Sequence, residues 1–212
     1  MKNILQNLTH RRLRLGGSNV IRHLGSGPFW ALSVGSQRRT LSVLAAADFD
    51  IHVVSDSSLT IGQRVTLLRN ASEMGVEIAI PGIVHWIGSG KTANEAGIAL
   101  DEPLPEAFSI KPQAEARSSI RYECRVRGTL EWSEGSQVSV AAIALNYSRG
   151  GVCIQVSVAP PVETSVQFVW ARSGSENNLA GVVRWVIGQN GRFLTGCELF
   201  AEHGYRISGV TG

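Results

Sequence analysis

Acidic residues are missing from the opening stretch of this chain. No Asp or Glu precedes Asp48, while Lys2, Arg11, Arg12, Arg14, Arg22, Arg38 and Arg39 all fall in that span. The net charge of the whole chain is only +3, so the imbalance is local. It reads either as an arm for nucleic acid or a membrane surface, or as a solvated terminal segment. No aromatic residue interleaves the first basic cluster, as a stacking platform for bases would require, so no nucleic-acid partner is expected. Long apolar runs are missing as well: none approaches the roughly 20 residues that cross a bilayer. The segment Met1 to His10 lacks the apolar stretch and small-residue cleavage site of a secretory signal. Cysteine is scarce and odd in number. Cys124, Cys153 and Cys197 each sit in a strand-like run, so they read as small buried hydrophobes in a reducing, cytoplasmic compartment rather than as a disulfide set.

Chemistry-bearing patterns are absent too. There is no nucleophile elbow, no phosphate-cradling Walker loop and no pair of carboxylates placed for acid–base work. His10, His23, His52, His85 and His203 show no metal-ligand spacing. A protein without catalytic residues, metal or cofactor is the expectation. What is present points to β structure. The chain has 212 residues, 43% hydrophobic and 17% charged, with 23 glycines and short Val-rich runs, a globular composition with room for one large or two small domains.

Taken in order, the first half reads as six strands: Phe29 to Val34, Gln37 to Leu44, Asp50 to Ser55, Gly62 to Leu68, Glu77 to Ile87 and Ala96 to Leu100. The same order recurs in the second half. Ile61-Gly-Gln-Arg-Val65 aligns with Val162-Glu-Thr-Ser-Val166 at an offset of 101. Gly82-Ile-Val-His-Trp86 aligns with Gly181-Val-Val-Arg-Trp185, and Gly97-Ile-Ala-Leu100 with Gly196-Cys-Glu-Leu199, at an offset of 99. Two extra residues in one hairpin loop explain the change, and loops take length cheaply. The fold expected is all-β, two small antiparallel six-stranded barrels in tandem from a duplicated unit. Residues 1–105 would be the first barrel and 117–212 the second. Residues 106–116, in a Pro-containing polar stretch, would be the linker. Because Trp86 and Trp185 are equivalent, a structural role is expected for both.

The second half carries a constellation the first lacks. Arg117 and Arg121 are four apart, and Asn146-Tyr-Ser148-Arg-Gly150-Gly151 follows about 25 residues later, after two strand-like runs, Tyr122 to Leu130 and Gln137 to Leu145. The guanidinium fork matches phosphate oxygens and the O6/N7 edge of guanine. Asn146 and Ser148, two apart, face the same way on an extended backbone. Gly151 permits positive φ or close approach of a ligand. Such a set suits an anionic, purine-bearing ligand on the outside of a sheet. Either half of the pattern alone is common in basic segments or turns; the pair, in this order and spacing, is more specific.

Arg-x-x-x-Arg followed by Asn-x-Ser-x-x-Gly resembles the PilZ domain, the bacterial receptor module for cyclic di-GMP, over roughly Arg117 to Phe200. The resemblance implies a ligand, cyclic di-GMP, held by Arg117 and Arg121 through phosphate and guanine and by Asn146 and Ser148 at a guanine edge, with Gly150 and Gly151 admitting it to the backbone. It also implies a two-domain receptor whose first barrel is divergent, with a downstream protein partner. At the offset of 101, Asn146, Ser148 and Gly151 correspond to Ala45, Ala47 and Asp50, so the first copy should not bind; Asp50 would repel a phosphate. In the family, an arginine just before the first motif arginine favours a stacked pair of ligands. Ala116 stands there, after the acidic Glu115, so one ligand per chain is expected. Two other readings stand beside this one: a ligand-independent adaptor of the same fold in a motility, pilus or secretion apparatus, and a nucleic-acid binder using the basic N-terminal segment.

Overall fold

The computed structural model describes residues 22–23, 30–71, 76–88, 94–105 and 119–210. The chain divides into two compact units, Met1–Pro112 and Gln113–Gly212. The linker expected over 106–116, and the strongly basic stretch before Arg22, lie outside the described residues.

In the first unit the strands are β1 (Arg22–His23), β2 (Trp30–Val34), β3 (Gln37–Ala47), β4 (Asp50–Ser55), β5 (Arg64–Ala71), β6 (Val76–Ile87) and β7 (Asn94–Leu100). The sheet runs β1-β6-β5-β2-β3-β4-β7, and a further β6–β7 pairing closes six of its strands into a barrel. In the second unit β8 (Tyr122–Glu134), β9 (Ser136–Ser148), β10 (Gly151–Val156), β11 (Ser165–Arg172), β12 (Ser175–Gln189) and β13 (Arg192–Leu199) close in the order β10-β13-β12-β11-β8-β9. Closure removes the exposed edges that an open sheet of this size would leave. All pairings are antiparallel, as short connections between consecutive strands require. The six strands read from the first half therefore all form, with ends shifted by a few residues.

The two rings have the same connectivity, and small features coincide. β5 and β6 are separated by four residues, β11 and β12 by two, which places the change of offset in that hairpin. The Gly62 N–H donates to the Val84 carbonyl at 2.8 Å, and the Glu163 N–H donates to the Val183 carbonyl at 2.8 Å. Gly62 takes φ +84 there at no steric cost, whereas Glu163 takes φ +66. One expectation needs correcting. The segment Glu131 to Ser136, expected as a loop between two shorter strands, is mostly strand; β8 and β9 run on to a tight turn at Gly135, whose φ is +73. Trp132 is buried and pairs with Val166 on β11, and that burial extends the strand through a polar stretch.

Each barrel is filled by alternate side chains from its own strands. Leu32, Ile51, Val53, Val84, Ala96 and Ile98 are fully or nearly fully buried in the first. Leu130, Ala144, Ile154, Phe168 and Val183 fill the second, where Phe168 stacks on Trp170 with centroids 5.4 Å apart. Trp185 packs differently. It pairs with Gly196 across β12–β13, and a Cβ added to Gly196 would run into the indole ring. The ring thus lies flat on a neighbouring backbone, which only glycine permits. Gly196→Ala is expected to destabilise the second barrel by about 1–3 kcal/mol, the usual cost of overpacking, read as a lower urea midpoint; an unchanged midpoint would show that the ring swings away freely.

Candidate functional site

The candidate site depends on a break in strand alternation. On β9, Ala142 and Ala144 point into the barrel and are buried. Strict alternation would send Asn146 and Ser148 inward as well. The ladder with β10 prevents this. Ile154 pairs with Ala144 and Cys153 with Asn146, so Leu145 is an extra residue, a β-bulge. Past the bulge the faces exchange. Tyr147 enters the core at 1% exposure, against Tyr122 with ring centroids 5.9 Å apart. Asn146 and Ser148, on either side of it, take the other face of the strand, where Asn146 is half-buried and Ser148 is buried. The two-residue spacing does put them on one side, but the bulge decides which side.

Three strands bring the remaining residues to this face. On β8, Glu123 pairs with Asn146 and Tyr122 with Tyr147, so the exposed Arg121, just before β8, stands at the same corner. On β10, Gly151 pairs with Ser148 and Cys153 with Asn146. The position of the Arg121 guanidinium is registered electrostatically. Burial pushes the Cys153 thiol up from its ordinary pKa, and the nearby Arg121 charge opposes that rise. Arg121, Asn146, Ser148, Gly151 and Cys153 thus share one corner of the outer face. Arg117 lies outside the described residues.

The glycine pair is not required by backbone conformation. Neither Gly150 nor Gly151 has a positive φ. A Cβ on Gly150 would meet nothing within 4 Å, and one on Gly151 would sit 3.4 Å from the Ser148 hydroxyl and 3.3 Å from the Cys197 carbonyl. The chain itself has no need of glycine at 150; open space over the backbone does. Two further residues lie near this corner. Trp185, across Gly196 from Cys153, is on the outer face. Arg149, inside the motif, has its Nη2 2.8 Å from Oε2 of Glu202.

The first unit has the same bulge, at Leu44, with Ala45 opposite His52 and Ala47 opposite Asp50. Its outer corner is filled by its own side chains. His52 meets Trp86 edge-on at 5.4 Å and its Nε2 lies 3.4 Å from a Glu95 carboxylate oxygen. Asp50 is buried, and its carboxylate lies 3.3 Å from Nε2 of the buried His85. The sequence suggested an acid that would repel phosphate; the structure shows that it is buried and faces an imidazole. Among the described residues no group of three His, Cys, Asp or Glu side chains could hold a metal ion, and no helix is long and apolar enough to cross a membrane.

Comparison with known proteins agrees with the motif pattern. Residues 115–203 match the model of the PilZ domain. That match falls within the second unit, Gln113–Gly212. No curated protein matches the sequence. Among solved structures, the chain is similar to the inhibitor of motility MotI/DgrA of Bacillus subtilis, at 11% identity and a TM-score of 0.34 over 84% of this chain and 89% of that one. It is similar to PlzA of Borreliella burgdorferi in complex with c-di-GMP, at 12% identity and a TM-score of 0.34 over 81% of this chain and 80% of that one. YcgR of Escherichia coli, also in complex with c-di-GMP, gives 6% identity and a TM-score of 0.33 over 82% and 76%. These TM-scores are low, and the family assignment stands on the match over residues 115–203.

The three thiols are free, and burial pushes both Cys124 and Cys197 up to about 12. At neutral pH the native protein keeps these thiols protonated and poorly nucleophilic. The linkage sign follows. From the ordinary thiol value of 9.0 upward, the unfolded chain releases protons that the native protein retains, so stability falls as pH rises from there to about 12. Cys197→Ala should flatten the decline of the urea midpoint across that window. A variant with the same slope as wild type would show that this thiol does not contribute.

Proposed function

We propose that this chain is a cyclic di-GMP receptor that performs no chemistry of its own and binds the dinucleotide on the outer face of the second barrel. One observation carries the reading: the β8–β9–β10 register gathers Arg121, Asn146, Ser148 and Gly151 at one corner, inside the stretch that matches the PilZ domain. Arg121 supplies a fork of donors for phosphate oxygens or the guanine O6/N7 edge. Asn146 and Ser148 add donors and acceptors for a guanine edge from the sheet, and Gly150 and Gly151 leave the backbone open to the ligand. Arg117, four residues before Arg121, supplies the second guanidinium. Charge-assisted hydrogen bonds contribute roughly 1.5–3 kcal/mol each. Two arginines and two polar side chains are therefore enough for micromolar affinity, about −8 kcal/mol.

Arg117 directly follows the segment 106–116 that would join the barrels. Capturing it on the ligand would order that segment and alter the arrangement of the two units, signalling to a protein partner. The first barrel invites a second reading. Its corner is occupied by His52, Trp86 and Glu95, which favours a ligand-independent interaction role for that unit within the same receptor.

Calorimetry with cyclic di-GMP, with GTP as control, tests the site. Arg121→Ala and Ser148→Ala should each weaken binding about tenfold or more without lowering the thermal midpoint; wild-type affinity in both variants would refute the assignment. The fragment 1–105 should show no saturable binding, since it has Ala45, Ala47 and Asp50 where the second barrel has the polar triplet. With Ala116 before Arg117, the titration should give one ligand per chain, and a clear two-to-one ratio would reject that argument alone. Small-angle scattering should show a smaller radius of gyration with ligand, and an unchanged radius would remove the interdomain mechanism.

A further inference from the structure

Arg149 sits inside the binding motif, between Ser148 and Gly150, and its guanidinium is held 2.8 Å from the Glu202 carboxylate. The backbone around it is pinned from the far side. The Leu199 N–H donates to the Gly150 carbonyl at 2.9 Å and the Gly204 N–H to the Arg149 carbonyl at 3.0 Å. Gly204 lies so close to the Ser148 carbonyl that an added Cβ would collide with it. The first unit repeats the backbone ties: the Leu100 N–H donates to the Phe49 carbonyl and the Leu104 N–H to the Asp48 carbonyl. These ties belong to the fold and do not need an arginine. At the place of Arg149 the first unit has the exposed Asp48, in a turn flanked by Ala47 and Asp50 as the other is by Ser148 and Gly151. The barrel with the polar triplet thus carries a positive charge where the barrel without it carries a negative one. Stability does not explain the difference, because Glu202 is 66% exposed and ion pairs this exposed contribute little.

We propose that Arg149 is a further anion-contacting residue of the site and that Glu202 is its competitor in the empty protein. This inference rests on the cyclic di-GMP reading above. A carboxylate and a phosphate both present oxygens that match the guanidinium fork. Glu202 therefore holds the geometry that a ligand phosphate takes over, and the conformers in which Arg149 stays with Glu202 lower the apparent affinity by the fraction they occupy. Glu202 then sets the ligand concentration at which the receptor responds.

The sign of two substitutions tests this. If the pair merely holds the turn, Arg149→Ala and Glu202→Gln both weaken binding or both leave it unchanged. If Glu202 competes, they move affinity in opposite directions. Titrating the full chain with cyclic di-GMP in a calorimeter should show Arg149→Ala about tenfold weaker, the loss expected for one charge-assisted contact. Glu202→Gln should bind several-fold tighter than wild type, and the double variant should match Arg149→Ala alone, because a competitor has no effect once its target is gone. Matching thermal midpoints guard against misfolding. Wild-type binding together with a Glu202→Gln affinity at or below wild type would overturn the competition. A wild type with no saturable binding would overturn the receptor reading itself, and this inference with it.

Discussion

The outer face of the second barrel depends on one extra residue in β9. Backbone hydrogen bonding forces the ladder to stay paired on both sides of Leu145, and side chains on a strand alternate without choice. Inserting that residue turns Tyr147 into the core and Asn146 and Ser148 out of it. The core and the site are thus two results of the same register. A large aromatic residue at 147 drives the exchange, because Tyr147 packs between Tyr122 and Tyr205, with centroids 5.9 and 6.5 Å away. Slipping back by one residue would send an amide and a hydroxyl into an apolar interior, at a cost of kilocalories per unpaired group.

The first barrel shows which features of the second the fold itself requires. It keeps the ring order, the bulge at Leu44 and the backbone ties across the β3–β4 turn. It has neither the polar triplet nor the glycine pair. What is retained satisfies backbone hydrogen bonds or fills the core; what differs lies on the other face of β9 and in the turn that follows it. Gly82 and Gly181, by contrast, occur in both, and an added Cβ at either would strike the carbonyl region of the neighbouring strand. Gly150 faces open space and has Phe49 as its counterpart. Packing does not require glycine at that position.

Much of the fold was legible in the sequence because barrel closure leaves periodic traces. Turn residues at regular spacing gave the six strands of the first half, and the offsets of 101 and 99 located the two extra residues in the β5–β6 hairpin. The candidate site was legible as residue types but not as geometry. Register and bulge position decide which face a residue takes, and neither can be read from one strand by itself. Asp50 shows the difficulty. In the sequence it is an acid in place of a glycine; in the fold it is buried beside His85, a partner 35 residues away that becomes adjacent only when β4 and β6 both pair with β7. The loop expected at Glu131 to Ser136 failed for a related reason. Its polar residues alternate with a buried Trp132, and burial outweighs local turn propensity.

The two faces of β9 explain how the barrels can share a core and yet differ at this corner. Asn146 and Gly150 are only half-buried, and Gly150 has open space beside it. The folding equilibrium is governed instead by Ala144, Tyr147, Ile154 and their neighbours. In the first unit the corresponding corner is satisfied internally, His52 against Trp86 and Glu95, Asp50 against His85. The second barrel's corner is composed differently, of the exposed Arg121, the half-buried Asn146, the buried Ser148 and the half-buried backbone of Gly150 and Gly151.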